Sequence, residues 1–188
     1  MQPLVCRPSL LGDSGVGKTA IAKYFGLRTF DKLLDMSICE SYERRVTIDQ
    51  YEVDVDLYDY MANEAYLRIR DLTIMERDGF ILVYSVTSRE SFNSLQFYVR
   101  RILELKQIES LVPIVVIGNK CDLEAERVVS PEQGFRFAAS LGASFFETSP
   151  KFGINIDNAV AFITKELIIY QGDMELDREM KGKHCGLS

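Results

Sequence analysis

A glycine-rich segment near the start of the chain has the residue types and the spacing of a phosphate-binding loop. Residues 12–19 read Gly-Asp-Ser-Gly-Val-Gly-Lys-Thr and match the pattern GxxxxGK[ST]. In such a loop, backbone N–H groups surround phosphate oxygens at the start of a helix, and glycines let the backbone come close. The ammonium of Lys18 adds positive charge toward the β and γ phosphates, and the hydroxyl of Thr19 can bind Mg²⁺. The pattern predicts phosphate binding by Gly12, Asp13, Ser14, Gly15, Val16, Gly17, Lys18, Thr19 and Ala20.

A second polar motif, at residues 119–122, indicates which base the nucleotide carries. Asn-Lys-Cys-Asp follows a short apolar run that ends at Gly118, and α/β proteins bind ligands at the carboxyl ends of such strands. The carboxylate of Asp122 can accept hydrogen bonds from N1 and N2 of guanine, a donor pair that adenine lacks. Asn119 can link the base to neighbouring loops, and the stem of Lys120 can pack over the ring. Alone, a turn of this composition is usually a surface loop; downstream of a phosphate loop it predicts guanine binding.

The apolar residues around these motifs alternate between strand and helix patterns, which is typical of an α/β fold. Continuous apolar runs over residues 79–86 and 113–118 predict buried parallel strands covered by helices on both faces. A period of two over residues 45–58 predicts a hairpin that turns near Asp49-Gln50. Helical spacing and end signals predict helices over residues 18–25, 92–103, 130–142 and 156–170.

Length and composition limit the class of protein further. The 188 residues, 47% hydrophobic and 27% charged, predict one globular domain rather than a disordered chain. A net charge of −6 argues against binding of nucleic acid through a broad positively charged surface. No apolar run approaches the roughly 20 residues that span a bilayer, and the first residues do not resemble a secretory signal. We therefore expect a protein of the cytosol.

The cysteine and histidine residues of this chain do not indicate a disulfide, a zinc site or a catalytic site. Cys6, Cys39, Cys121 and Cys185 lie far apart, so we expect free thiols in a reducing compartment rather than disulfides or a zinc site. The single histidine, His184, lies in a polar segment near the C-terminus. Catalysis by histidine is therefore not expected.

At these motifs the sequence resembles the Ras family of small GTPases, over a stretch from about Leu4 to Tyr170. The segments that look like Ras segments, in family order, are residues 25–30, 35–42, 79–85, 119–123 and 145–149. The resemblance implies an α/β fold with a doubly wound, mostly parallel six-stranded sheet and helices on both faces. It implies GTP or GDP as ligand, Mg²⁺ as cofactor and slow GTP hydrolysis. The implied partners of this monomer are effectors, an exchange factor and a GTPase-activating protein, and no nucleic acid.

The resemblance also assigns roles to residues by position. It places around the nucleotide, besides the two motifs, Phe30, Asp59, Ser149, Pro150 and Lys151. It implies that Mg²⁺ is held by Thr19, Ser37 and Asp59, and that the catalytic positions are Lys18, Ala62 and Asn63. The implied effector segment is Leu34, Asp35, Met36, Ser37, Ile38, Cys39, Glu40, Ser41 and Tyr42.

Several positions depart from the family pattern. Where the family has Asp-Thr-Ala-Gly-Gln-Glu, residues 59–64 read Asp-Tyr-Met-Ala-Asn-Glu. Ala62 thus replaces a glycine whose N–H meets the γ-phosphate, and Asn63 replaces the glutamine that orients water. Pro150 replaces an alanine whose N–H contacts the guanine carbonyl, and proline has no N–H to donate. Ser37 replaces threonine but keeps the hydroxyl, and Pro8 is expected to weaken the pairing of the first strand.

The C-terminal segment suggests a lipid anchor. Its last four residues, Cys-Gly-Leu-Ser, fit a C-a-a-X box that favours farnesylation of Cys185. The apolar periodicity stops at Gly172, so we expect a GTP-binding domain over residues 1–171 and a flexible tail over 172–188. This tail has no polybasic patch, and stable anchoring takes two signals. The expected location is the cytoplasmic face of the plasma membrane, with a cytosolic pool.

Three functional hypotheses follow, from different classes of protein. The first is a Ras-like switch that hydrolyses GTP slowly and binds effectors in its GTP state. The second is an interaction module that binds nucleotide, in which the altered residues 59–64 have abolished useful turnover. The third, a small P-loop kinase, is disfavoured because residues 119–122 indicate guanine and the sequence has no arginine-rich lid.

Overall fold

Strands and helices alternate along the described part of the chain, as the apolar pattern predicts. The computed structural model describes residues 4–30, 40–59, 67–106 and 112–185, with the backbone alone for residues 40, 67 and 173–185. Its strands are β1 (Leu4–Cys6), β2 (Pro8–Leu11), β3 (Glu40–Ile48), β4 (Tyr51–Asp59), β5 (Gly79–Ser85), β6 (Ile114–Asn119) and β7 (Ser144–Thr148). Its helices are α1 (Lys18–Leu27), α2 (Leu67–Glu76), α3 (Arg89–Asn93), α4 (Leu95–Lys106), α5 (Pro131–Ser140) and α6 (Ile156–Cys185).

The strands form one mostly parallel sheet in which β2 lies between β4 and β5, followed by β6 and β7. Both β1 and β2 pair with β4, Leu4 opposite Val53 and Leu10 opposite Asp59, so they continue one register. The pairing with β4 is interrupted at Arg7 and Pro8, because proline has no N–H for a ladder hydrogen bond. The predicted weakening of this strand is confirmed. The prediction of six strands is corrected to seven segments that occupy six positions in the sheet.

An antiparallel hairpin of β3 and β4 flanks the parallel strands. Its two-residue turn is Asp49-Gln50, and Ile48 lies opposite Tyr51. Asp49 has a φ of 53°, a left-handed conformation that aspartate tolerates better than most residues. The hairpin predicted from the period of two is confirmed at its predicted turn.

Helices cover both faces of the sheet and bury two apolar layers. Along β5, Ile81 and Val83 pack with residues of α1 and α6, whereas Phe80, Leu82 and Tyr84 pack with residues of α4 and α5. This alternation follows from the period of two in a strand. The predicted arrangement, a doubly wound sheet with helices on both faces, is therefore confirmed.

Helix boundaries differ from the sequence prediction at the end of α1 and between α3 and α4. α1 continues through Gly26 to Leu27, and a Cβ at Gly26 would lie 2.9 Å from Cδ1 of Tyr42. The single helix predicted over residues 92–103 is in fact α3 and α4, and Leu103 near the end of the predicted range is 38% exposed. The prediction for α5 is confirmed: Ser130 and Gln133 form a capping box, and Gly142 follows the helix with a φ of 66°.

The last helix extends farther than its apolar periodicity predicts. The backbone of α6 remains helical from Gly172 to Cys185, where the sequence analysis expected a flexible tail. This stretch is rich in Glu, Lys, Arg, Met and Leu, which favour helix even without a core to cover. Within the described ranges, no helix is long and apolar enough to cross a membrane.

Two cysteine side chains are described, and both are free thiols, as predicted. Cys6 is fully buried in β1 and Cys121 is half-buried after β6. Burial raises the pKa of the Cys6 thiol to about 12, so it stays protonated and acts as a small apolar side chain.

Candidate nucleotide-binding site

The two sequence motifs meet at the carboxyl edge of the parallel strands. β2 ends at Leu11, directly before the glycine-rich loop of residues 12–17, and β6 ends at Asn119. The neighbouring strands β4 and β7 end at Asp59 and Thr148. Ligands of α/β proteins bind at this edge. The topology therefore brings together segments that lie up to about 140 residues apart in the chain.

The glycine-rich loop requires glycine at two positions for reasons of space as well as conformation. Gly12 has a φ of 151°, and a Cβ there would lie 2.1 Å from the carbonyl oxygen of Val83. Gly17 has a φ of 100° and caps α1, and a Cβ there would lie 2.3 Å from Nδ2 of Asn119. Backbone N–H groups at the start of α1 also carry the positive end of the helix dipole. The loop is thus built for close approach of an anion.

Lys18, the first residue of α1, reaches back across the loop. Its side chain is almost fully buried, and Nζ donates hydrogen bonds of 2.8 Å to the carbonyl oxygens of Gly12 and Asp13. Its positive charge is therefore fixed within the loop. Thr19 follows on α1 and is half-buried.

Asn119 joins three segments of the site through one buried amide. The residue is 1% exposed, and its Nδ2 donates to the carbonyl oxygen of Val16 at 2.8 Å. Its Oδ1 accepts a hydrogen bond of 2.9 Å from the Thr148 hydroxyl. The phosphate loop, the end of β6 and the end of β7 are thus held together.

Asp122 is presented by the next turn and is fixed by the loop after β7. Its Oδ1 accepts a hydrogen bond of 2.6 Å from Oγ of Ser149, and Oδ2 lies 4.0 Å from Nζ of Lys151. Lys120 adopts a φ of 64° and spans the site, with Nζ donating to the carbonyl oxygen of Gly15 at 2.7 Å. The carboxylate is therefore held by the loop after β7, and the stem of Lys120 lies between the base motif and the phosphate loop.

Pro150 lies in a short turn closed by two hydrogen bonds between Ser149 and Ile154. The N–H groups of Phe152 and Gly153 also donate within this turn, at 3.3 and 3.4 Å. Proline has no N–H. Within this described turn, the N–H of Lys151, next to Pro150, is therefore the backbone donor that makes no backbone hydrogen bond.

The structure provides oxygen ligands of the kind that Mg²⁺ prefers. Asp59 is 4% exposed at the end of β4, opposite Leu10, which lies two residues before the phosphate loop. Thr19 places a hydroxyl in the first turn of α1. Mg²⁺ uses one or two carboxylates together with ligand phosphates and water. One carboxylate and one hydroxyl fit Mg²⁺ that is bound together with a nucleotide. Among the described residues, no cluster of three or more His, Cys, Asp or Glu side chains that could hold a metal occurs.

Some predicted site residues lie outside the described residues or only at the edge of the site. Ser37, Ala62, Asn63 and residues 34–39 of the effector segment are outside the described ranges. Phe30 is 40% exposed after α1. The described side chains of the effector segment differ: Ser41 is exposed and donates to Asp56, while Tyr42 is buried against Gly26.

The sequence analysis missed two residues that support the site. Thr148 was seen only as part of a family-like segment, yet its hydroxyl orients the Asn119 amide. Tyr98 of α4 lies on the apolar face of its helix, and its hydroxyl donates to Oδ1 of Asp13 at 3.1 Å. A tyrosine within an apolar stripe was the available signal, because a buried phenol hydroxyl needs a partner.

Comparison with known proteins agrees with this geometry. A model of the Ras family matches residues 8–169. "Ras-like protein 1" of Saccharomyces cerevisiae is 43% identical over 150 residues, which are 80% of this chain and 48% of that protein. "Ras-like protein" of Laccaria bicolor is 36% identical over 165 residues, 88% of this chain and 78% of that protein. The chain thus aligns with about half the length of the first relative and about three quarters of the second.

Proposed function

Since the chain belongs to the Ras family, we propose that it is a molecular switch that binds GTP and GDP with Mg²⁺ and signals through effector proteins. The observation that carries this proposal is the fixed carboxylate of Asp122, held by Ser149 at 2.6 Å on the same edge as the phosphate loop. A carboxylate accepts from the N1 and N2 hydrogens of guanine, and adenine would leave it unpaired. The Asn119 amide then sets the distance between the base motif and the phosphate loop.

Calorimetric titration with GDP and ADP tests this proposal. We expect GDP to bind at least about 100-fold more tightly than ADP, because a buried acceptor left unpaired excludes the wrong base. Asp122→Asn should lose GDP and gain xanthosine diphosphate, whose second carbonyl accepts from the new amide. Asp49→Asn, in the exposed hairpin turn, serves as the matched control. Equal affinity for ADP and GDP would contradict the proposal.

Binding of Mg²⁺ is assigned to Thr19, Ser37 and Asp59, a set of two hydroxyls and one carboxylate. The ion, when bound, would neutralise charge on the β and γ phosphates. The residues of the chain would orient the phosphates: Lys18 holds its ammonium inside the loop, and the N–H groups at the start of α1 face the anion.

Slow hydrolysis of GTP is the second part of the proposal, and a nucleotide-binding interaction module without useful turnover is the alternative. Asn63 carries the right amide on a stem one methylene shorter than glutamine, and a misplacement of about 1 Å can cost on the order of 100-fold. Single-turnover hydrolysis at saturating GTP separates the two. Ala62→Gly combined with Asn63→Gln should accelerate it at least about tenfold, or about 1.4 kcal/mol of barrier. A double variant no faster than the parent would show that these substitutions do not limit the chemistry.

Membrane attachment through a prenyl group on Cys185 completes the proposal, with an exchange factor and a GTPase-activating protein as regulators. One prenyl chain without a basic patch binds membranes weakly and reversibly. The proposed location is the cytoplasmic face of the plasma membrane with a cytosolic pool. Cys185→Ser should release the protein wholly from the membrane fraction, and an unchanged distribution would disprove the assignment.

A further inference from the structure

The phosphate loop contains an acidic side chain that the proposed function does not explain. Asp13 directly follows Gly12 in a loop that binds anionic phosphates. A carboxylate and a phosphate repel each other, most strongly where water is partly excluded. An acid at this position therefore needs something that keeps its charge away from the ligand.

The structure shows what holds Asp13. Its carbonyl oxygen accepts a hydrogen bond of 2.8 Å from Nζ of Lys18, on the inner side of the loop. Its carboxylate Oδ1 accepts a hydrogen bond of 3.1 Å from the hydroxyl of Tyr98, which lies 85 residues away on α4. The backbone and the side chain of Asp13 are thus bound by two different elements.

Tyr98 itself is well anchored. It is 6% exposed and belongs to the apolar layer between α4 and the sheet, together with Leu95 and Ile102. Its ring cannot follow the carboxylate without disturbing that layer, because packed side chains have little freedom to move. One turn farther along α4, Arg101 pairs with Asp71 of α2 at 2.6 Å. The hydroxyl therefore stands at a fixed point of the fold.

We propose that Tyr98 is a positioning residue for nucleotide binding, which holds the Asp13 carboxylate against α4 and away from the phosphates. This inference rests on the proposed binding of guanine nucleotide. Without the hydroxyl, the carboxylate is free to rotate toward the loop, where it repels the ligand. Loss of the hydroxyl then weakens nucleotide binding only while residue 13 carries a charge.

A double-mutant cycle on the full chain tests this dependence, with the release rate of a fluorescent GDP analogue as readout. Tyr98→Phe should release it roughly tenfold faster, since a hydrogen bond to a charged group is lost. In the Asp13→Ala background the same substitution should change the rate by less than about twofold. In 1 M salt the effect of Tyr98→Phe should shrink, because the Debye length falls to about 3 Å. Tyr170→Phe, on α6 at the other end of the sheet, is the matched control and should stay within about twofold of the parent.

Each outcome of these measurements either supports or contradicts the inference. An equal acceleration by Tyr98→Phe in the parent and in the Asp13→Ala background would mean that the hydroxyl only braces α4, and the inference would be wrong. An unchanged release rate in Tyr98→Phe would also overturn it. If thermal melting shows that Tyr98→Phe is unfolded, Tyr98→Leu, which also removes the hydroxyl, takes its place in both backgrounds, and an equal acceleration in the two backgrounds would again contradict the inference. Failure of the proposed function is recognised separately, because the parent itself would then bind no GDP analogue.

Discussion

The loops on the base side of the site and the face between α2 and α4 are held to the fold by different kinds of contact. On the base side, Asn119, Thr148 and Ser149 are at most 1% exposed and carry no charge. Their side chains make hydrogen bonds of 2.6 to 2.9 Å that link three loops. Such bonds are shielded from solvent, and leaving one of their partners unpaired is costly.

On the α2–α4 face, by contrast, the contacts are ionic and partly open to solvent. Asp71 of α2 pairs with Arg101 of α4 at 2.6 Å and with Arg70 at 3.1 Å, and the side chains of Asp71 and Arg101 are 26% and 30% exposed. Outside this contact, Leu72 and Met75 of α2 are about half exposed. Partly exposed ion pairs contribute little to stability and are screened by salt.

This difference suggests that the base-side loops and the α2–α4 face have different tasks. The buried bonds between the neutral groups of Asn119, Thr148 and Val16 keep these loops in one arrangement, because breaking one leaves a buried polar group without its partner. The partly exposed ion pairs of α2 can exchange with water at small cost, so we expect this helix to shift more easily than the loops of the base site. A nucleotide switch needs both properties: a constant binding site and an element that responds to the ligand.

The largest expected effect follows from breaking the base-side network at its centre. Asn119→Ala leaves the carbonyl of Val16 and the hydroxyl of Thr148 without their partner in a buried site. At about 1–3 kcal/mol for each of the two unpaired groups, the free energy of unfolding should fall by about 2–6 kcal/mol in urea titrations. This loss should be the same at low and high salt, since the groups are neutral. The matched control is Asn158→Ala, which removes an exposed amide on α6 and should change the free energy of unfolding by less than about 0.5 kcal/mol. A loss as large as that of Asn119→Ala would show that burial of the amide is not the cause.

An intermediate effect is expected at Pro150, where the base side departs from the family pattern. Pro150→Ala restores an N–H next to the site, and GDP should leave more slowly, by up to about tenfold for one hydrogen bond. The slowing of GDP release is limited to this amount because the Lys151 N–H already provides one donor in the turn. Stopped-flow release of a fluorescent GDP analogue measures the change. An equal or faster release rate would indicate that Lys151 already satisfies the guanine carbonyl.

The smallest effect is expected on the α2–α4 face. The hydrogen bond from Arg101 lowers the pKa of Asp71 below its ordinary value. A lowered pKa in the folded state stabilises the fold above the unfolded pKa of about 3.9, and this contribution is lost as pH falls through the folded pKa. Asp71→Asn should therefore cost at most about 1 kcal/mol near pH 7 at low salt, and less in 1 M salt or below about pH 4.

Thermal or urea unfolding at several pH values measures this contribution. Glu76→Gln, an exposed acid of the same helix, is the matched control and should change the free energy of unfolding by less than about 0.5 kcal/mol. A loss at Asp71 as large as that at Asn119, and independent of salt, would contradict the division between the two regions.

The sequence alone predicted those features that depend on short segments. The phosphate loop and the base motif are recognisable because each function needs particular residue types at fixed spacing, and the hairpin turn follows from strand periodicity. The weakened strand pairing at Pro8 and the position of α5 were also predicted correctly, since one missing N–H or the end signals of one helix decide each locally. The break between α3 and α4 and the helical extension after Gly172 were not predicted, because periodicity reports which face is buried rather than where a helix ends.

What the tertiary structure decided is which distant groups meet. The sequence determined that Asp122 could read guanine and that Lys18 could face phosphate. It could not show that Thr148 orients Asn119, that Ser149 fixes Asp122, or that Tyr98 holds Asp13, because these pairs are separated by up to 85 residues. Local chemistry depends on residue type and spacing, whereas contacts across the sheet edge depend on the order and register of all the strands.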